Sequence, residues 1–249
     1  TCGLQGEYNR SAFRSSAPFT IKYSHDCTNY CRCSHCTCRS TNQVLRSSLM
    51  KVTVQPDPFP LMIIEDLYTE EELNLIWNEL DYYQSNQKIL NSNTSPSVDL
   101  ADGTSRTEKK GLFVDYAFQD RSHSNILNVS RKLFEHGLIA NSDHLLQWKY
   151  FQPDSDFTLL SYYDDGGYYL PHHDNTVVSV ISWLWKEPKR FEGGDFVFQD
   201  YGVKLTCRSN CAVAFPGLVQ HGVEPVTMKE EYRGKGLGRY SISHFMNFQ

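Results

Sequence analysis

The 249-residue chain is 40% hydrophobic and carries 24 basic against 29 acidic residues, a formal net charge of −5. That is enough apolar material for one sizeable core plus an appendage, and mixed charge without a basic stripe argues against nucleic-acid binding. No apolar run approaches the roughly 18 residues a membrane span needs, and the opening TCGLQGEYNR lacks the basic and apolar regions of a secretory signal, so a cytoplasmic protein is expected.

Residues 1–50 are polar and Ser/Thr/Asn-rich, with little strand or helix periodicity, and hold six of the eight cysteines. They read as an irregular module apart from a domain over 51–249. The segment HDCTNYCRCSHCTC gathers Cys27, Cys31, Cys33, Cys36 and Cys38 with His25 and His35. CxC and CxxC spacings let thiolates converge tetrahedrally on Zn2+. Disulfides are a second reading, although five close cysteines leave one unpaired unless Cys2 joins. A disordered, redox-sensitive tail is a third. A zinc module here would serve to recruit a substrate or partner.

From Val52 the pattern changes. PFPLMIIEDL reads as a buried strand. Thr69 with Glu72 three residues on is a capping box, and Leu73, Ile76, Trp77 and Leu80 share one helical face, which predicts a helix to about Tyr83. Residues 84–109 are polar and turn-rich and read as a long loop of the kind that forms lids. A second helix is expected over about 123–136, ending at Gly137. From Phe157 the chain becomes short strands between turns: FTLLSYY, GYYLPHHD, TVVSVISWLW, GDFVFQ, CAVAFP, HGVEPV and GRYSISHFM. This order, helices first and then many short strands, predicts an α+β, mainly β fold: a jelly roll with supporting N-terminal helices.

Within YYLPHHDNT, residues i and i+2 of a strand share a face. His172 and Asp174 therefore converge and His173 diverges. His221, in a later strand, completes a set of two histidines and one carboxylate, the donor set associated with non-haem Fe(II). Arg239 alternates with Ser241 and Ser243 on one face of GRYSIS, against Tyr240 and Ile242. A guanidinium turned into a barrel must meet an anion, and its planar fork suits a carboxylate.

These residues resemble the 2-oxoglutarate/Fe(II)-dependent dioxygenase superfamily and, within it, the prolyl 4-hydroxylase group. The resemblance lies in Tyr162, Gly166-Gly167, Tyr169, His172 and Asp174, then GGDFVF from Gly193, Phe215-Pro216, HGVEPV from His221, and Gly238-Arg239-Tyr240-Ser241. It covers about residues 157–248 and implies a double-stranded β-helix. It implies that His172, Asp174 and His221 bind Fe(II), and that Arg239 pairs with the far carboxylate of 2-oxoglutarate, helped by Ser241 or Tyr162. It places Tyr169 as a pocket aromatic and Trp183 at a pocket position where relatives carry Tyr or Leu. O2 and 2-oxoglutarate would be consumed, succinate and CO2 released, and an unactivated C–H hydroxylated, with ascorbate as an auxiliary cofactor. The stretch between His221 and Arg239 is longer than usual for the group. TMKEEYRGKG reads as a hairpin extension, and its Arg233 and Lys235 compete with Arg239 for the anion-binding role.

Related nucleic-acid demethylases carry a second arginine where this chain has Phe245. With the acidic balance, that favours a protein or peptide substrate containing proline, held by the 84–109 loop and by aromatics such as Trp183 or Trp185. Hydroxylation of a small molecule or another side chain is the alternative within the superfamily. A non-catalytic, metal-dependent binding module is the alternative outside enzymes.

Overall fold

A computed structural model describes residues 50–85, 105–134 and 151–248. Its strands are β1 (Lys51–Gln55), β2 (Leu61–Glu65), β3 (Thr107–Glu108), β4 (Lys110–Phe113), β5 (Ser155–Tyr163), β6 (Tyr168–His172) and β7 (Val178–Leu184). They continue as β8 (Phe191–Gly193), β9 (Phe196–Phe198), β10 (Val203–Leu205), β11 (Cys211–Pro216), β12 (His221–Val223), β13 (Val226–Met228) and β14 (Arg239–Asn247). Among the described residues, three α-helices accompany them: α1 (Glu70–Ser85), α2 (Val114–Ala117) and α3 (Asn125–Ser130).

Among the described residues the strands form two large antiparallel sheets and one two-stranded sheet. The larger runs β1-β2-β11-β7-β14-β5-β4, the smaller β10-β9-β12-β6-β3, and β8 pairs separately with β13. From β5 to β7 the chain crosses from large sheet to small and back, and it repeats this through β9, β11, β12 and β14. That alternation is the succession of a jelly roll.

Period-2 alternation gives each long strand two faces. On β14, Tyr240, Ile242 and Met246 join Leu160 and Tyr162 of β5 and Val180 and Leu184 of β7 against Ile76, Leu80 and Tyr83 of α1. The opposite faces supply Tyr163, Ile181, Trp183, Val213 and Phe215, which enclose the interior with Phe196 and Phe198 of β9. Truncating a fully buried side chain in either layer costs about 2–5 kcal/mol.

The helical layer is pinned by polar contacts the sequence encodes locally. The Thr69 amide donates to Glu72 Oε2 (2.8 Å) and the Glu72 amide to Thr69 Oγ1 (3.2 Å), the reciprocal capping pair expected of this spacing. Glu79 is buried, but the Tyr83 hydroxyl, the Ser124 hydroxyl and the Ile126 amide all donate to its carboxylate, tying α1 to the start of α3.

Several elements depart from expectation. The second helix is shorter: α3 passes at Arg131 into a 3-10 turn through Phe134. The expected 84–109 loop has structured edges, the end of α1 on one side and β3 on the other; residues 86–104 lie outside the described residues. HGVEPV is two strands, because Glu224-Pro225 separates β12 from β13, which pairs with β8. The stretch after β13 is a 3-10 turn (Glu230–Tyr232) followed by glycine turns, rather than a hairpin. The cysteine-rich segment, with Cys27, Cys31, Cys33, Cys36 and Cys38, lies outside the described residues. Among the described residues, no helix is long and apolar enough to cross a membrane.

Candidate active site

The pairing of β12 with β6 sets His221 directly opposite His172. Asp174 follows β6, where its amide donates to the Gly217 carbonyl (2.9 Å) and turns its carboxylate back toward both imidazoles. His172 Nε2 lies 3.6 Å from Asp174 Oδ1, and His221 Nε2 lies 3.4 Å from Asp174 Oδ2. One donor atom from each residue falls within 4.8 Å of the others, and this is the only such triplet among the described residues.

Each imidazole is oriented by the backbone. His172 Nδ1 faces the Leu170 carbonyl at 3.0 Å and His221 Nδ1 faces that of Val219 at 2.9 Å. Donation from Nδ1–H fixes the tautomer and leaves both Nε2 lone pairs free. Burial, reinforced by the neighbouring His221, pushes His172 down to about 2, and burial also lowers His221 against the opposing pull of Asp174. Both rings are therefore neutral at physiological pH, the state a metal requires. Ser179 donates to Asp174 Oδ2 at 2.5 Å and holds the carboxylate in place. His173 is exposed and directs Nδ1 to the Leu218 carbonyl (2.8 Å), so the two adjacent histidines part just where β6 ends, at His172.

The triad opens into a cavity of about 500 Å3, also lined by Lys109, Ser161, Tyr163, Tyr169, Arg239, Ser241 and Ser243. Arg239 is fully buried. Its guanidinium lies 5.0 Å from the Tyr163 ring, and Nη2 donates to the weak acceptor Cys207 Sγ at 3.7 Å. Nε and Nη1 have no partner among the described residues. The competing cation Arg233 is half-exposed and pairs with Asp165 at 3.0 Å, which leaves Arg239 as the interior arginine.

The Gly193-Gly194 turn makes room for this side chain. Both glycines have left-handed φ, +69° and +70°, and a Cβ on Gly194 would stand 3.0 Å from Arg239 Cδ and 3.0 Å from Val226 Cγ2. Gly194→Ala is expected to cost about 1–3 kcal/mol of stability and to weaken anion capture by displacing the guanidinium. Urea unfolding checks the first effect, and calorimetric titration with a small dicarboxylate checks the second.

Two pocket assignments need correction. Tyr162 points away from the cavity into the helix-facing core, where its hydroxyl accepts from the Gly238 amide (3.2 Å); Tyr163 lines the cavity instead. The register explains it, because Arg239 pairs with Tyr163 and Ser241 with Ser161. Trp183 faces the interior opposite Ser241 but packs against Phe196 (5.8 Å) and is not part of the cavity wall. Tyr169 lines the cavity and stacks on His172 at 3.7 Å between ring centroids.

Sequence reasoning missed Lys109 and an aromatic mouth. Lys109 Nζ donates to Ser161 Oγ (3.1 Å) and sits 4.4 Å from the Tyr169 ring centroid. Burial lowers its ammonium to about 7, against the attraction of Asp174. Phe113, Tyr116, Phe157 and Phe245 also line the cavity, in mutual ring contact at 5.4–6.5 Å. Tyr116 is 74% exposed and Phe157 44%.

Residues 157–247 match the family model described as the 2OG-Fe(II) oxygenase superfamily. Among solved structures, a Pseudomonas putida prolyl-4-hydroxylase shares 15% identity over 76% of this chain and 92% of its own, with a TM-score of 0.46. The viral collagen prolyl hydroxylase vCPH from Paramecium Bursaria Chlorella virus-1 shares 13% over 75% and 94%, with a TM-score of 0.38. OsALKBH1 shares 15% over 79% and 100%, with a TM-score of 0.45. No curated protein matches the sequence.

Proposed function

We propose, from the match of residues 157–247 to the 2OG-Fe(II) oxygenase superfamily, that this chain is a member and hydroxylates proline in a peptide or protein, using Fe(II), 2-oxoglutarate and O2. One observation carries the enzymatic part. A two-histidine, one-carboxylate cluster shares a cavity with a fully buried arginine, two of whose nitrogens have no partner among the described residues.

The donor set fits the metal. Two neutral Nε2 atoms and one carboxylate oxygen suit Fe(II) and leave coordination positions for a bidentate ligand and O2. His172, Asp174 and His221 would hold it, and the iron would supply the oxidative decarboxylation of 2-oxoglutarate coupled to C–H hydroxylation. Ser179 keeps Asp174 turned toward the metal position, and the Leu170 and Val219 carbonyls keep the imidazoles facing it. Arg239 would take the far carboxylate of 2-oxoglutarate, with Tyr163 and Ser241 beside it. The apolar interior around Phe196 and Ile181 excludes water from the reacting end.

The substrate class rests on the mouth. Phe113, Tyr116, Phe157 and Phe245 present ring faces that suit a pyrrolidine, and Phe245 stands where the related nucleic-acid demethylases have a cation. Succinate release from 2-oxoglutarate, measured with anaerobically loaded Fe(II) and ascorbate, is expected to rise severalfold with proline-rich peptides and not with the same peptides carrying alanine for proline. Equal stimulation by both sets would remove proline from the reading. Turnover without any peptide response would favour a small-molecule substrate.

A further inference from the structure

We propose that Lys109 is a second co-substrate-binding residue, whose ammonium takes the carboxylate next to the 2-oxo group while Arg239 takes the far carboxylate. The proposal rests on the reading of the cavity as a 2-oxoglutarate site.

The placement follows from the topology. Lys109 lies between β3, which pairs with β6 in the small sheet, and β4, which pairs with β5 in the large one. It closes the seam between the sheets beside the metal-binding strand. On β4, Phe113 belongs to the mouth and pairs with Leu159, while Gly111 pairs with Ser161. Lys109 is two residues further along on the same face, so its side chain enters deeper than the mouth aromatics, at the level of Ser161.

Its contacts make it a group awaiting an anion. Nζ meets a hydroxyl and a ring face, and no carboxylate among the described residues lies within ion-pairing distance. Three donor positions on an ammonium are poorly served by one hydroxyl oxygen. A partly buried cation in that state is stabilised by any carboxylate that enters. 2-Oxoglutarate is a dianion, and outside the triad the cavity wall offers two cations among the described residues, Lys109 and Arg239. Their ring contacts assign the ends. Arg239 lies against Tyr163, whereas Lys109 lies over Tyr169, which is itself stacked on His172. Lys109 is therefore the cation on the metal side.

The test is calorimetric binding to the full chain loaded with Mn(II), with 2-oxoglutarate and with 2-oxobutanoate, which lacks the far carboxylate. Mn(II) affinity is measured first for each variant, and an unchanged value shows that the triad is intact. Lys109→Met is expected to weaken both ligands by a similar factor, about tenfold or more, and Lys109→Arg to stay close to the unaltered chain. Arg239→Met is expected to weaken 2-oxoglutarate and leave 2-oxobutanoate unchanged. If Lys109→Met binds both ligands as before, or loses only 2-oxoglutarate, the assignment of Lys109 is overturned while the cavity reading stands. If the unaltered, Mn(II)-loaded chain binds no 2-oxoglutarate, both are overturned.

Discussion

Replacing Asp174 by alanine is expected to weaken Fe(II) or Mn(II) binding by at least about 100-fold, whereas His173→Ala binds as the unaltered chain does. Removing groups that merely orient metal ligands already costs 10–100-fold in affinity, and Asp174 supplies an oxygen facing both His172 and His221 at 3.6 and 3.4 Å. Among the described residues it also supplies the only negative charge on the cavity wall, so its loss leaves two neutral imidazoles to hold a dication beside Lys109 and Arg239. His173 directs its ring to the Leu218 carbonyl and offers the metal nothing. Calorimetric titration with Mn(II) reads the difference without requiring turnover. Equal losses in the two variants would mean that the adjacent histidines exchange roles, and the strand-alternation argument would fail. Succinate production should follow the same split, absent in Asp174→Ala and retained in His173→Ala.

The reach of sequence reasoning follows the reach of its periodicities. The alternation of Arg239, Ser241 and Ser243 put a guanidinium inside from local geometry alone, whereas the HxD reading paired His172 with Asp174 although β6 ends at His172 and the Gly217 carbonyl, far along the chain, turns Asp174 back toward it. The choice between Tyr162 and Tyr163 is not local either. With two adjacent tyrosines, either phase of the strand buries an aromatic, and only the register with Arg239 decides. Lys109 was hidden for a related reason. β3 is two residues long, too short to show a period, and it interrupts a polar stretch that reads as loop. Broken elements such as HGVEPV mislead in the other direction, because six residues are too few for the pattern to show that the chain passes at Glu224-Pro225 into another sheet. The mouth aromatics come from β4, α2, β5 and β14, and no linear pattern joins them.

Arg239→Met should make the unliganded protein more stable while destroying its response to 2-oxoglutarate. A buried charge is costly unless paired, and Arg239 is fully buried with Nε and Nη1 unpartnered among the described residues. Cys207 is no counter-ion, since burial raises its thiol above the ordinary range and keeps it protonated. Methionine matches much of the arginine stem and adds no charge. Apolar replacements of buried ionic groups are neutral to stabilising by about 1–4 kcal/mol, and each kcal/mol moves Tm by about 2–4 °C in a domain of this size. Capture of the far carboxylate should meanwhile weaken by two orders of magnitude or so, as expected for a buried, charge-assisted pair that loses one member at about 2–5 kcal/mol. Thermal unfolding of the Mn(II)-loaded proteins with and without 2-oxoglutarate gives both quantities. The unaltered chain should gain stability on adding the co-substrate, and the variant should start higher and gain almost nothing. A variant that melts lower without ligand would show that the guanidinium supports the fold, and its unpartnered nitrogens would no longer argue for a site kept open for an anion.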